Sequence, residues 1–167
     1  CLTYAYIGFV LTIVQGGIVR QVATRLSESL MASGGALVEV VGFVVLARAA
    51  VYPSLEMLLI GLAIVVTGFA FVTPSLNSLL SRWTDPAKQG GILGIGQSIS
   101  ALARILGPMV GVPLFENRAL ADNLGVKAAQ MPLILATVLT TISIVLILIA
   151  ARRGRDFQAD ADAVAAE

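Results

Sequence analysis

Apolar residues in this chain follow one another in long unbroken runs and do not alternate with polar ones. Five such runs cover residues 1–19, 30–47, 57–81, 90–115 and 128–151. Roughly 20 apolar residues are needed to cross about 30 Å of hydrocarbon as a helix. Continuous runs of this length predict spanning helices, so their many Val and Ile residues do not argue for strands. The connections 20–29, 48–56, 82–89 and 116–127 are short and carry most of the charge. The pattern predicts an all-α membrane protein: one unit of five transmembrane helices over residues 1–153, followed by a polar tail at 154–167. That tail, within "RRGRDFQADADAVAAE", turns acidic after a basic start and is expected to lie outside the membrane as a frayed or weak helix.

Composition agrees. Hydrophobic residues make up 57% of the 167, the mean hydropathy is +0.92 and only 13% are charged. A soluble domain of this length cannot hide so much apolar surface, which makes the lipid bilayer the expected partner. The net charge of +1 gives no reason to expect a nucleic-acid partner. Cys1 is the single cysteine and there is no histidine, so the commonest metal ligand and general base is missing. No nucleotide loop, metal cluster or nucleophile–base pair is visible; neither an enzyme nor a cofactor is expected, protons being the candidate coupling ion. The chain starts at Cys1 with no basic n-region or cleavage site, so it is expected to begin within or beside a helix of something longer.

Basic residues set the expected orientation. Arg20, Arg25, Arg82, Lys88, Arg152, Arg153 and Arg155 flank the spans on one side, and Arg48, Arg118 and Lys127 on the other. The richer side is expected to be cytoplasmic, with the C-terminus inside and the N-terminus outside.

Two charges remain inside the spans. Arg104 lies roughly 20 Å along its run, counted from Gly90 at about 1.5 Å per residue. A charge at mid-bilayer costs about 2.5–3.5 kcal/mol on insertion scales. Arg104 is therefore expected to face a polar cavity, a substrate or an acidic partner; the alternative is a buried ion pair that only fixes packing. Glu39, the one intramembrane acid, lies roughly 14 Å along its own run. A carboxyl in low dielectric can exchange a proton near neutral pH, as proton-coupled transport requires. The alternative is a neutral glutamic acid bonded to backbone. The two side chains can meet if their helices are neighbours.

Gly107, Pro108 and Gly111 in "GPMVG" form a small-xxx-small surface with a helix-bending proline, suited to close packing. Gly90 and Gly94 add a second small pair. Gln15, Asn77 and Gln97 are the cavity-lining candidates, Gln97 sharing a helix face with Arg104. Such polar positions suit a water-filled pathway, though hydrogen bonding between helices is equally open to them.

Four stretches carry a resemblance. "QGGIVRQVATRLSE" resembles the end of a helix and the cytoplasmic gating loop after it, with Ser27 and Ser29 standing where glycine and arginine are usual. "EVVGFVVLA" sets Glu39, Gly42 and Phe43 on an acid followed by a Gly-Tyr pair. "TPSLNSLLSRWTDPAKQGGILG" and "GGILGIGQSISALARILGPMVGVPLFE" complete the series. In this order they resemble helices 8 to 12, the C-terminal half, of major facilitator superfamily transporters, most of all the twelve-helix drug:proton antiporters of the tetracycline-efflux group. Arg104 has no counterpart in that group. The resemblance implies a fragment of a secondary active transporter, exporting small organic compounds or drugs with proton coupling by alternating access. It further implies a bacterial inner-membrane location, a small-molecule substrate and a missing N-terminal half as partner. The alternatives are a non-transporting membrane bundle or gene remnant, and a facilitator that uses no protons.

Overall fold

The structure, a computed structural model, describes residues 2–153. Cys1 and the polar tail at 154–167, with Arg155, lie outside the described residues. Regular structure among the described residues is entirely helical. Among the described residues five helices are long and apolar enough to cross a membrane, as the hydrophobic runs predict. They are α1 (Leu2–Ala23), α2 (Glu28–Val51), α3 (Leu55–Arg82), α4 (Gln89–Glu116) and α6 (Met131–Arg153), with the short α5 (Arg118–Asn123) between the last two. Single 3-10 turns at Pro86–Lys88 and Ala128–Gln130 lead into α4 and α6.

Local chemistry sets the ends. α2 stops just ahead of Pro53, because a proline disfavours helical geometry in the residue before it. Ser54 then accepts from the Met57 amide at 3.4 Å and caps α3. Asn117 caps α5 through the Leu120 amide at 3.0 Å. The chain leaves α5 through Gly125 at φ +66°, a left-handed conformation that a β-carbon would strain.

The α2–α3 hairpin is the centre of the bundle. Its helices run antiparallel with glycines seven apart on both facing sides, Gly35 and Gly42 on α2 and Gly61 and Gly68 on α3. A β-carbon on Gly68 would sit 2.5 Å from the Gly35 carbonyl oxygen and 2.7 Å from the Glu39 amide nitrogen. One on Gly42 would sit 2.7 Å from the Val65 nitrogen. The backbones touch, which is how helices associate when lipid supplies no hydrophobic drive between them.

The other spans pack around this pair, alternating in direction. α6 joins it through a cluster of Ala32, Leu79 and Ile147. α1 joins it through Val14, Val19, Met31 and Ala70, and through the Tyr6 hydroxyl, which donates to the Leu59 carbonyl at 3.2 Å. Val14–Val19 is a π-helical stretch holding Gln15, Gly16 and Gly17. In an α-helix, residues five apart diverge by about 140° at 100° per residue, whereas i→i+5 bonding brings them to one side. The π turn is thus what lets Val14 and Val19 bury themselves together. α4 differs from the rest: none of its residues is buried. It touches α3 near Gly96 and Leu80, α6 near Gly111 and Pro132, and is tied at its start by Gln89 donating to the Ser81 carbonyl at 3.0 Å.

Two stability outcomes follow from this packing. Gly68→Val is expected to lower unfolding stability in detergent by about 3 kcal/mol, the upper end of overpacking costs, while Gly107→Ala, in open space, leaves it unchanged or raises it by up to about 1 kcal/mol. Deleting Gly16 restores plain α-helix and swings the residues before it by about 100° relative to Val19. A thermal melt of that variant is expected to show a lower midpoint than a Gly16→Ala variant.

Candidate functional site

The two intramembrane charges occupy different environments. Glu39 is half-buried on the face of α2 that meets α3, and a β-carbon on Gly68 would approach its Cγ to 2.6 Å. Its carboxyl is therefore rooted in the tightest helix contact of the molecule. Arg104 is exposed on α4, and no carboxylate among the described residues pairs with it. Glu39 and Arg104 share neither an ion pair nor a hydrogen bond. The cause is helix placement: α2 packs chiefly on α3 and α6, with α4 outside that contact.

Arg104 has company of another kind. Pro108, four residues on, lacks an N–H, so the Arg104 carbonyl loses its helical donor. Guanidinium and freed carbonyl thus lie on one residue, with Gly107 adding no side chain beside them. Gly90, Gln97, Arg104 and Gly111 are spaced seven apart, with Gly94, Ala101 and Pro108 between them. Together they make one small and polar stripe. Ile95, Ile99, Leu102, Leu106 and Met109 form an exposed apolar stripe on the opposite side. α4 is two-faced, and neither face is covered.

Gln97 is exposed on the polar stripe, Gln15 is exposed in the π stretch of α1, and Asn77 is half-buried on α3. No hydrogen bond joins any two of them. Gly107 and Pro108 face open space, and Gly111 would bring a β-carbon to 3.9 Å from Pro132. A hollow of about 550 Å³ opens elsewhere, between the α2–α3 turn and the α4 and α6 ends, among Leu46, Pro53, Leu58, Phe115 and Leu133. None of the candidate residues lines it.

One charged contact was not foreseen in the sequence. Arg82, in the last turn of α3, donates to the Glu28 carboxylate at 2.9 Å, and the Ser78 hydroxyl donates to the same oxygen at 3.4 Å. Glu28 stands in the first turn of α2, where an anion suits the helix N-terminus. The signal was present in principle: an antiparallel hairpin brings the start of one helix to the end of the other. Nothing in a separation of 54 residues says which side chains meet. With both side chains about one-third exposed, the double-mutant cycle Glu28→Gln with Arg82→Gln is expected to give a coupling energy of only about 0.2–1 kcal/mol in unfolding experiments.

Five apolar helices with charge gathered at their ends define an integral, multi-pass helical membrane protein. The chain is similar to major facilitator superfamily domain-containing protein 10 of Mus musculus, 29% identical over 112 residues that make up 67% of this chain and 24% of that protein. It is also similar to the Homo sapiens protein of the same name, 34% identical over 62 residues, 37% of this chain and 14% of that protein. The chain spans about a quarter or less of the curated relatives it matches. No family model and no solved structure matches it. The likeness is thus to proteins of the major facilitator superfamily, and it covers part of this chain and a small part of theirs.

Proposed function

We propose that this chain is the C-terminal part of a twelve-helix secondary transporter, its spans corresponding to helices 8 to 12. In this reading it exports small organic compounds by proton-coupled alternating access, as tetracycline-efflux-like antiporters do, with two helical bundles rocking about a central site. Its setting is a bacterial inner membrane with the C-terminal end cytoplasmic.

The observation that supports the reading is the uncovered polar stripe of α4 with Arg104 at its middle. A guanidinium at that depth is too costly to leave to lipid. An aqueous route shared with a second bundle supplies what it needs: water, an anionic or polar substrate group, or a carboxylate from the other half. Gln97 lies two turns away on the same stripe, and the Pro108 step frees a carbonyl for the same route. Glu39 is the proton-responsive group. It acts on helix packing, since whatever alters its carboxyl acts where α2 and α3 touch.

Vesicles containing the full-length protein test this. Arg104→Leu is expected to lower drug flux at least tenfold, and Glu39→Gln to remove its dependence on a proton gradient. Undiminished proton-driven flux with Glu39→Gln takes Glu39 out of the mechanism. Flux that an uncoupler leaves intact points instead to a facilitator.

A further inference from the structure

A second site lies on the outer side of the bundle, between α2 and α6, away from the polar stripe of α4. A groove of about 310 Å³ runs there, lined by Val44, Ala47, Arg48, Gln130, Ile134 and Val138 among others. Its floor is apolar and open, Val44, Ile134 and Val138 being 50%, 40% and 49% exposed. From Gln130 to Val138 it extends roughly 12 Å along α6, at about 1.5 Å per residue.

The upper end is polar and held in place. Gln130 donates through Nε2 to the Ala47 carbonyl at 3.1 Å and accepts from the Lys127 amide at 3.0 Å. Lys127 reaches across with Nζ to the Val51 carbonyl at 2.8 Å, closing the C-terminal end of α2. Arg48 stands exposed in the last turn of α2 at the groove mouth, and no carboxylate among the described residues pairs with it. A cation there suits the helix C-terminus, yet no acceptor among the described residues takes its five N–H donors.

We propose that this groove binds one anionic phospholipid, its phosphate on Arg48 and an acyl chain along Val44, Ile134 and Val138. Charge complementarity selects this occupant. Arginine matches phosphate with paired N–H donors, and basic pockets between membrane helices hold lipid head groups for that reason. The 12 Å floor below the cation has the length and character of an acyl segment, whereas a soluble anion would find nothing there to cover the valines and isoleucine.

Native mass spectrometry of the full-length protein, released from mixed micelles of phosphatidylglycerol and phosphatidylcholine, tests the site. One phosphatidylglycerol is expected to be retained in about tenfold preference to phosphatidylcholine. Arg48→Gln is expected to remove the preference, Arg48→Lys to keep part of it, and Ile134→Trp, which fills the groove, to remove the retained lipid altogether. Arg153→Gln, at the far end of α6, is expected to change nothing. Unaltered thermal melts show that the variants are folded. Preference that survives both Arg48→Gln and Ile134→Trp means only general annular lipid and overturns the site. A native protein retaining no lipid, with a melt lowered by Ile134→Trp, shows that polypeptide fills the groove and overturns it equally.

Discussion

Backbone contact between α2 and α3 is the constraint on which the rest of the molecule depends. Lipid is as apolar as leucine, so these helices gain little by hiding hydrophobic surface from it and must gain by touching closely. Glycines at 35, 42, 61 and 68, each pair about 10 Å apart along its helix, bring the two backbones together. Everything else is assembled on that pair: α6 on one side through Ile147, α1 on the other through a π turn that aligns Val14 with Val19. The Arg82–Glu28 pair sits at the membrane-surface end of the same hairpin. Being part-exposed, it marks the register of two helices already held together by packing and does little of the holding.

Glu39 stands inside that contact. A carboxyl on an open cavity wall would exchange protons with little effect on the fold. One whose Cγ and amide lie against Gly68, where a β-carbon would not fit, sits in a close helix contact. Arg104 is the opposite case. It rides on a helix with no buried residue, and no carboxylate among the described residues pairs with it. A packed acid and an open cation thus stand in separate parts of the bundle, where the sequence alone leaves open whether they meet.

The bundle's two outer aspects carry different chemistry for the same reason, the high cost of unmatched charge in hydrocarbon. On α4 the cation is far from either end and needs a polar route. At the end of α2, Arg48 is near the surface, where a single phosphate satisfies it and an apolar groove continues below. Depth decides which solution is available.

The sequence by itself determined the class of structure. Unbroken apolar runs permit only spanning helices, and the capping at Ser54 and Asn117 and the break at Pro53 are local chemistry readable residue by residue. It also marked Glu39 and Arg104, because charge within such runs is conspicuous. It did not show which glycines matter. "GPMVG" is the more visible motif, yet Gly107 faces open space while Gly42 and Gly68, in runs with no proline beside them, hold the closest contact. Nor did it show that Glu39 and Arg104 stay apart, that Glu28 meets Arg82, or that α1 takes a π turn. All of these depend on which helices are neighbours and how each is rotated. In a membrane nearly every face is apolar, so the hydrophobic pattern that reveals rotation in a soluble helix carries no such signal, and only the packed structure supplies it.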